Sequence, residues 1–199
     1  GPYRADLGDN ALAGASFLYT LPRFTAPFAS LEAGEYGWLR AAAGGTRELG
    51  RGELTMAGQW KTYDGPWQLP EDLQHLSTYV KYAEATGFGR WEASLSSYDA
   101  SWRPSEQIPE RAIGTAICAD AFCALDTSAT GDTQRHVATL RMTGKDWRAT
   151  VYGQYYNWDM YSDSTYDFQI HQWDKRFIYG ARGQKSFQPH RLLEITTGG

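Results

Sequence analysis

Apolar and polar residues alternate along this chain with a period of two. Between positions 53 and 61, Glu53, Thr55, Gln59 and Lys61 fall on one side of an extended strand, and Leu54, Met56 and Trp60 fall on the other. The same rhythm sets Arg90, Glu92, Ser94 and Ser96 against Trp91, Ala93 and Leu95. It also sets Arg148, Thr150, Tyr152 and Gln154 against Trp147, Ala149, Val151 and Tyr155. The pattern predicts strands over about 15–21, 28–33, 38–43, 53–63, 74–84, 90–100, 134–143, 147–160, 168–183 and 191–197. Over 71–84, Leu73, Leu76, Val80 and Ala83 also make a helical stripe with Asp72 as its cap. A strand is preferred there, with Leu76, Val80 and Tyr82 on the apolar face and His75, Ser77, Tyr79 and Lys81 on the polar one.

The connections alternate in length. A first hairpin turns at Gly34-Glu35-Tyr36-Gly37, and tight turns lie at Thr86-Gly87-Phe88-Gly89, at Gly144-Lys145-Asp146 and around Gln188-Pro189-His190. Long connections cover 64–73, 101–133 and 161–167. Short turns on one rim and long loops on the other are the asymmetry of an outer-membrane barrel, and most of the segments reach the roughly 9 to 11 residues of a tilted span. A water-soluble β-sandwich alternates as well.

Composition sharpens the choice without closing it. Of 199 residues, 15% are aromatic, with 8 Trp and 13 Tyr, yet the mean hydropathy of −0.54 is that of a polar protein. A barrel reconciles the two, because half of each strand and all of the loops face water while Trp and Tyr gather at the lipid headgroups. A secreted sugar-binding sandwich reconciles them too. The net charge of −4 gives no basic footprint, so nucleic acid is not an expected partner. No run approaches the roughly 18 apolar residues of a membrane helix, so any crossing must be by strands.

Candidate chemistry is sparse. Cys118 and Cys123 lie five apart in a polar stretch with no histidine nearby, a poor zinc site and not the spacing of a redox pair, so a loop disulfide and an oxidising compartment are expected. His75, His136, His171 and His190 are scattered without metal-ligand spacing. Glu106 and Glu110 flank Pro109 and are the nearest approach to paired catalytic acids, but solvated loop carboxylates explain them as well. No nucleophile elbow or phosphate-binding glycine loop is present, so neither an enzyme nor a cofactor is expected.

The opening Gly1-Pro2-Tyr3-Arg4-Ala5-Asp6-Leu7-Gly8-Asp9, followed by Ala13-Gly14-Ala15, resembles the end of the plug domain of TonB-dependent outer-membrane receptors. In that family such a run leads into a last plug strand, here 16–21. Leu31-Glu32-Ala33-Gly34-Glu35-Tyr36-Gly37 looks like the first barrel hairpin. The stretches Thr62 to Leu73, Tyr98 to Trp102 and Gln107 to Ala112 resemble extracellular-side segments of one branch of these receptors.

The resemblance implies an all-β fold: a partial antiparallel transmembrane β-barrel of about nine strands over 25–199, preceded over 1–24 by the C-terminal end of a plug domain. Barrels of this family have about 22 strands and a plugged lumen, so the chain would be an internal piece lacking the coupling box, the early plug and the closing strands. It further implies a bacterial outer-membrane location, contact with outer-membrane lipid, and a partner in an inner-membrane energy-coupling complex that acts through the missing plug. The cargo would be a scarce small molecule: a siderophore, metal chelate, cobalamin or glycan. Trp67, Trp102, Gln107, Tyr156, Trp158 and Tyr161 are the candidate substrate contacts at the extracellular rim, although an interfacial aromatic girdle accounts for many such rings. Gln59, Lys61, Arg148, Gln154, Gln172, Asp174 and Arg176 are candidate lumenal residues able to hold the plug. A passive porin and a secreted carbohydrate-binding sandwich are the alternatives.

Overall fold

The computed structural model describes residues 19–163, 165 and 167–199. Nine strands form one antiparallel sheet in strict sequence order: β1 (Phe28–Ala33), β2 (Leu39–Leu49), β3 (Gly52–Tyr63), β4 (Leu73–Thr86), β5 (Gly89–Trp102), β6 (Thr130–Thr143), β7 (Trp147–Ser162), β8 (Ile170–His190) and β9 (Leu193–Gly198). Among the described residues there is no α-helix, only a 3-10 turn at Glu110–Ala112. Strands β1 and β9 are the two edges and do not pair with each other, so the sheet is not closed into a barrel.

From β1 to β8 the register runs without a slip, and every predicted alternation therefore keeps its side. Leu54, Met56, Trp60, Leu76, Val80, Tyr82, Trp91 and Leu95 share the apolar face. Glu53, Thr55, Gln59, Lys61, His75, Ser77, Tyr79 and Lys81 share the polar one. The stretch with two readings is strand β4, which is paired along its length with β3 and β5 and so satisfies its backbone twice over. In the first hairpin Gly37 has φ +68°, and a Cβ there would collide with the Asp64 carboxylate, which is why glycine closes this turn.

Four boundaries depart from expectation. Strand β6 starts at Thr130, four residues before the expected 134. Strand β2 continues to Leu49 through two glycines, since Gly44 and Gly45 still pair with Ala57 and Met56. Strand β8 runs through Pro189 to His190 and turns at Arg191 and Leu192. Beyond Lys185 it is paired with β9 alone, and the ladder is irregular between Phe187 and His190, so the missing proline N–H costs little. Of the strand expected over about 15–21, the part up to 18 lies outside the described residues, and 19–21 are not in a strand.

The sheet has almost no apolar interior of its own. Among the described residues the buried apolar ones are Ala42, Ala83, Ala100, Ala112, Cys118 and Ala129, and the largest fully buried side chain is that of Cys118. Accessible surface totals 14068 Å² for 22.3 kDa, against roughly 9,400 Å² for a compact monomer of that mass. The large side chains are on the outside. Met56, Val80, Leu95, Ala138, Gly153 and Tyr179 form one cross-strand row of the apolar face, and Leu54, Tyr82, Ala93, Leu140, Val151 and Ala181 form the next. Among the described residues no second layer covers them.

Candidate functional site

Two features distinguish the polar face from a merely hydrated surface. The first is the chain that leads into β1. Lys81, only 3% exposed, donates its ammonium to the carbonyls of Leu21 (2.6 Å) and Pro22 (2.9 Å). Arg23 pairs with Glu53 at 2.6 Å, the Phe24 amide donates to Thr46 Oγ1 at 2.9 Å, and the Tyr79 hydroxyl donates to Thr20 Oγ1 at 3.2 Å. Residues 20–24 are thereby fastened across β2, β3 and β4 on their polar side. Phe24 also packs on Phe28, ring centres 5.3 Å apart. A desolvated lysine is costly unless fully hydrogen-bonded, so the segment and the lysine need each other.

The second feature is charge. On β4 to β8 the polar face carries Lys81, Arg90, Arg135, Arg141, Arg148, Arg176 and Arg182 against only Glu92 and Asp174. The apolar face of the same strands carries Glu84, Asp99, Asp132 and Asp159 against Lys175 and Lys185. A chain of net charge −4 thus concentrates its cations on one surface. Glu92 serves Arg90 at 3.1 Å and Arg141 at 3.9 Å, and Asp174 grips Arg176 at 2.6 Å. Arg148 reaches only the neutral amide oxygen of Gln184. Among the described residues, no carboxylate pairs with Arg135 or Arg182.

No known protein family, characterised protein or solved structure matches this chain. Its functional reading therefore rests on its own geometry.

The six rim candidates separate. Trp102, Tyr156 and Trp158 lie on the polar face near the ends of β5 and β7 that carry the long loops, with Trp158 directly opposite Thr133 and Asp174. Trp102 lies over Gly131, where a Cβ would meet the indole ring at 2.7 Å, so that glycine is what lets the ring lie flat on the sheet. Tyr161 is on the opposite face, stacked on His171 with ring centres 4.2 Å apart, while His171 contacts Asp159 at 3.0 Å. Gln107 is exposed in the loop after β5. Trp67 is engaged within the rim itself, its indole donating to Glu71 at 2.8 Å and its ring packed on Phe122. All seven candidate lumenal residues, from Gln59 to Arg176, share the polar face. Alternation alone could have found Tyr98, which has the parity of Arg90 to Ser96, whereas Arg135 is placed on this face only by the register that sets it opposite Tyr98.

The long loops are tied together. The Gln68 amide donates to Phe122 O at 2.7 Å, the Ala124 amide donates to Gln68 Oε1 at 3.1 Å, and the Arg103 amide donates to Glu71 O at 2.6 Å. Cys118 and Cys123 are joined by a disulfide, with Cα atoms 5.5 Å apart, beside these contacts. Asp126 links the loops after β5 and β7. It accepts from the Ser128 amide (2.7 Å) and hydroxyl (2.6 Å), and from the Asp163 amide (3.1 Å). Burial pushes its pKa up, but those bonds and one from the Ala129 amide outweigh burial and hold the carboxyl below its ordinary range.

The histidines are dispersed. His75 bonds Ser77 and packs on Tyr98, and His136 stacks on Tyr155 across the apolar face. Among the described residues no group of three or more His, Cys, Asp or Glu could hold a metal ion. Glu106, one of the two acids beside Pro109, keeps a buried carboxylate oxygen without a hydrogen-bond partner among the described residues.

Proposed function

We propose that this chain is part of an active outer-membrane importer of the TonB-dependent type, comprising the end of the plug over 1–24 and the first barrel strands over 25–199. One observation carries the reading. A nine-stranded sheet leaves its large apolar side chains uncovered on one face and, among the described residues, has almost no apolar interior to stabilise it in water. Hydrocarbon on that face removes the difficulty. Along β7 the apolar face runs from Trp147 to Tyr155, about 26 Å of strand and about 20 Å once tilted, close to the band of a membrane barrel. Paired rings border it, Tyr82 with Trp91 at 5.3 Å towards the short turns and Tyr155 with Phe177 at 5.0 Å towards the long loops.

The fastened segment 20–24 favours an importer over an open pore. It crosses the surface that would face the lumen, as the end of a plug must before it joins the first barrel strand. Transport of this kind is driven from the inner membrane, so the chain needs no covalent chemistry and no cofactor. A soluble sugar-binding sandwich would require a second sheet over the apolar face, and none is present among the described residues.

The test is quenching in outer-membrane vesicles carrying the protein. Lipids brominated in their acyl chains should quench Trp91 and Trp147, whereas aqueous iodide should reach Trp158. Removing residues 1–24 should let small solutes leak through. Recovery of the protein in the soluble fraction would refute the membrane assignment, and a deletion without leakage would leave a barrel that is not plugged by this segment.

A further inference from the structure

We infer that the polar face of β5 to β8, at its long-loop end, binds a small polyanionic solute through the row Tyr98, Arg135, Tyr156 and Arg176. The inference rests on the importer reading and narrows its substrate class to anionic cargo. These four residues stand directly opposite one another on successive strands, so the row is about 14 Å long and alternates a ring with a guanidinium. Arg176 is oriented by Asp174 through Nε (2.8 Å) and Nη2 (2.6 Å), which leaves three of its five N–H donors free. Arg135 is exposed and uses none of its donors on a partner among the described residues.

Planar guanidinium groups match carboxylate, sulfonate or phosphate oxygens two at a time, and the hydroxyls of Tyr156 between them and Tyr98 beside them add donors. Trp158 and Trp102 occupy the next two rows towards the loops and add apolar surface beside such contacts. The cationic excess of the whole face draws anions towards it. A neutral glycan or macrocycle would gain nothing from that excess. Among the described residues, the segment that lies on this face, 20–24, crosses β2 to β4 and leaves the row uncovered.

The experiment uses outer-membrane vesicles carrying the protein and pyranine, a water-soluble planar trisulfonate, as fluorescent probe. Pyranine should bind saturably. Iron(III) citrate should displace it, and cyanocobalamin and maltotetraose should not. Arg135→Gln and Arg176→Gln should each weaken binding about tenfold, the scale of one lost charge-assisted contact. Lys175→Gln, next to Arg176 in sequence but on the opposite face, should leave affinity unchanged. Displacement by a neutral competitor, or wild-type affinity in both row variants, overturns the inference. Displacement by tetraglutamate but not by iron(III) citrate also overturns it and assigns the surface to an acidic polypeptide. Brominated-lipid quenching in the same vesicles separates the failures: a protein that inserts but ignores pyranine sinks only the anion assignment.

Discussion

Leu95 and Ser96 are adjacent on β5 and face opposite ways, so the same substitution at each asks what touches the two surfaces. Leu95 stands between Val80 and Ala138 in the apolar row, four residues from Trp91 and four from Asp99, and is 49% exposed. In water, arginine at so exposed a position changes stability by no more than about 0.5 kcal/mol. At the middle of a bilayer it costs about 2–4 kcal/mol, a factor of roughly 30 to 1,000 in the folding equilibrium. Ser96 lies between Tyr79 and Val137 on the polar face, where arginine already recurs on neighbouring strands. Leu95→Arg should therefore lower the urea midpoint of the protein in lipid vesicles by the larger amount, with Ser96→Arg near wild type. Equal and small effects at both positions would refute the two-solvent account of the sheet.

Four further outcomes follow from particular contacts. Lys81→Met removes two charge-assisted bonds to Leu21 and Pro22; because those carbonyls can turn to water, the loss is about 3 kcal/mol, and hydrogen exchange of the Phe24 amide should quicken roughly 100-fold while that of β5 stays unchanged. Arg23→Gln, which removes an exposed ion pair, should change the same exchange less than fivefold. The Asp126 carboxyl titrates below its ordinary value, so its contribution to loop cohesion is complete above about pH 3.9 and is lost as pH falls through the lower folded value; exchange at the Ser128 and Asp163 amides should rise only in acid, and Asp126→Asn should show that looseness at neutral pH. Reducing Cys118–Cys123 should cost the loop about 2 kcal/mol on chain-entropy grounds, seen as faster exchange at Gln68 and Ala124 with the strands unaffected.

Most of the sheet was legible because strand periodicity is a local property. Once Trp91 and Leu95 share a face, so do all residues of their parity, and an unslipped register extends that rule to the neighbouring strands. Strand ends were less legible where they depend on partners: β2 persists through Gly44 and Gly45 because β3 pairs with them, and Pro189 is tolerated because β8 has lost one neighbour there. The candidate site was half visible. Rings near the long loops could be chosen by sequence, but not which would be engaged elsewhere, as Trp67 is with Glu71 and Phe122 and Tyr161 with His171. Nor does any local pattern announce that Lys81 would meet Leu21, sixty residues away.

The absence of an apolar interior and the two open edges bear on the same requirement. Lipid can cover Met56, Val80 and Leu140, but it cannot satisfy the outward N–H and C=O groups of β1 and β9. In water those edges would be sites for chain-to-chain pairing, against which β1 (Phe28–Ala33) and β9 (Leu193–Gly198) each carry a single glutamate and no lysine or proline. The cationic polar face raises a parallel demand, since Arg135 and Arg182 have no counter-charge among the described residues. Under the importer proposal a closed wall would answer both demands, with further strands pairing β1 and β9 and an anionic occupant facing the arginines. On that proposal the register, the exposed apolar rows and the charge segregation serve one surface, which divides hydrocarbon from a water-filled interior.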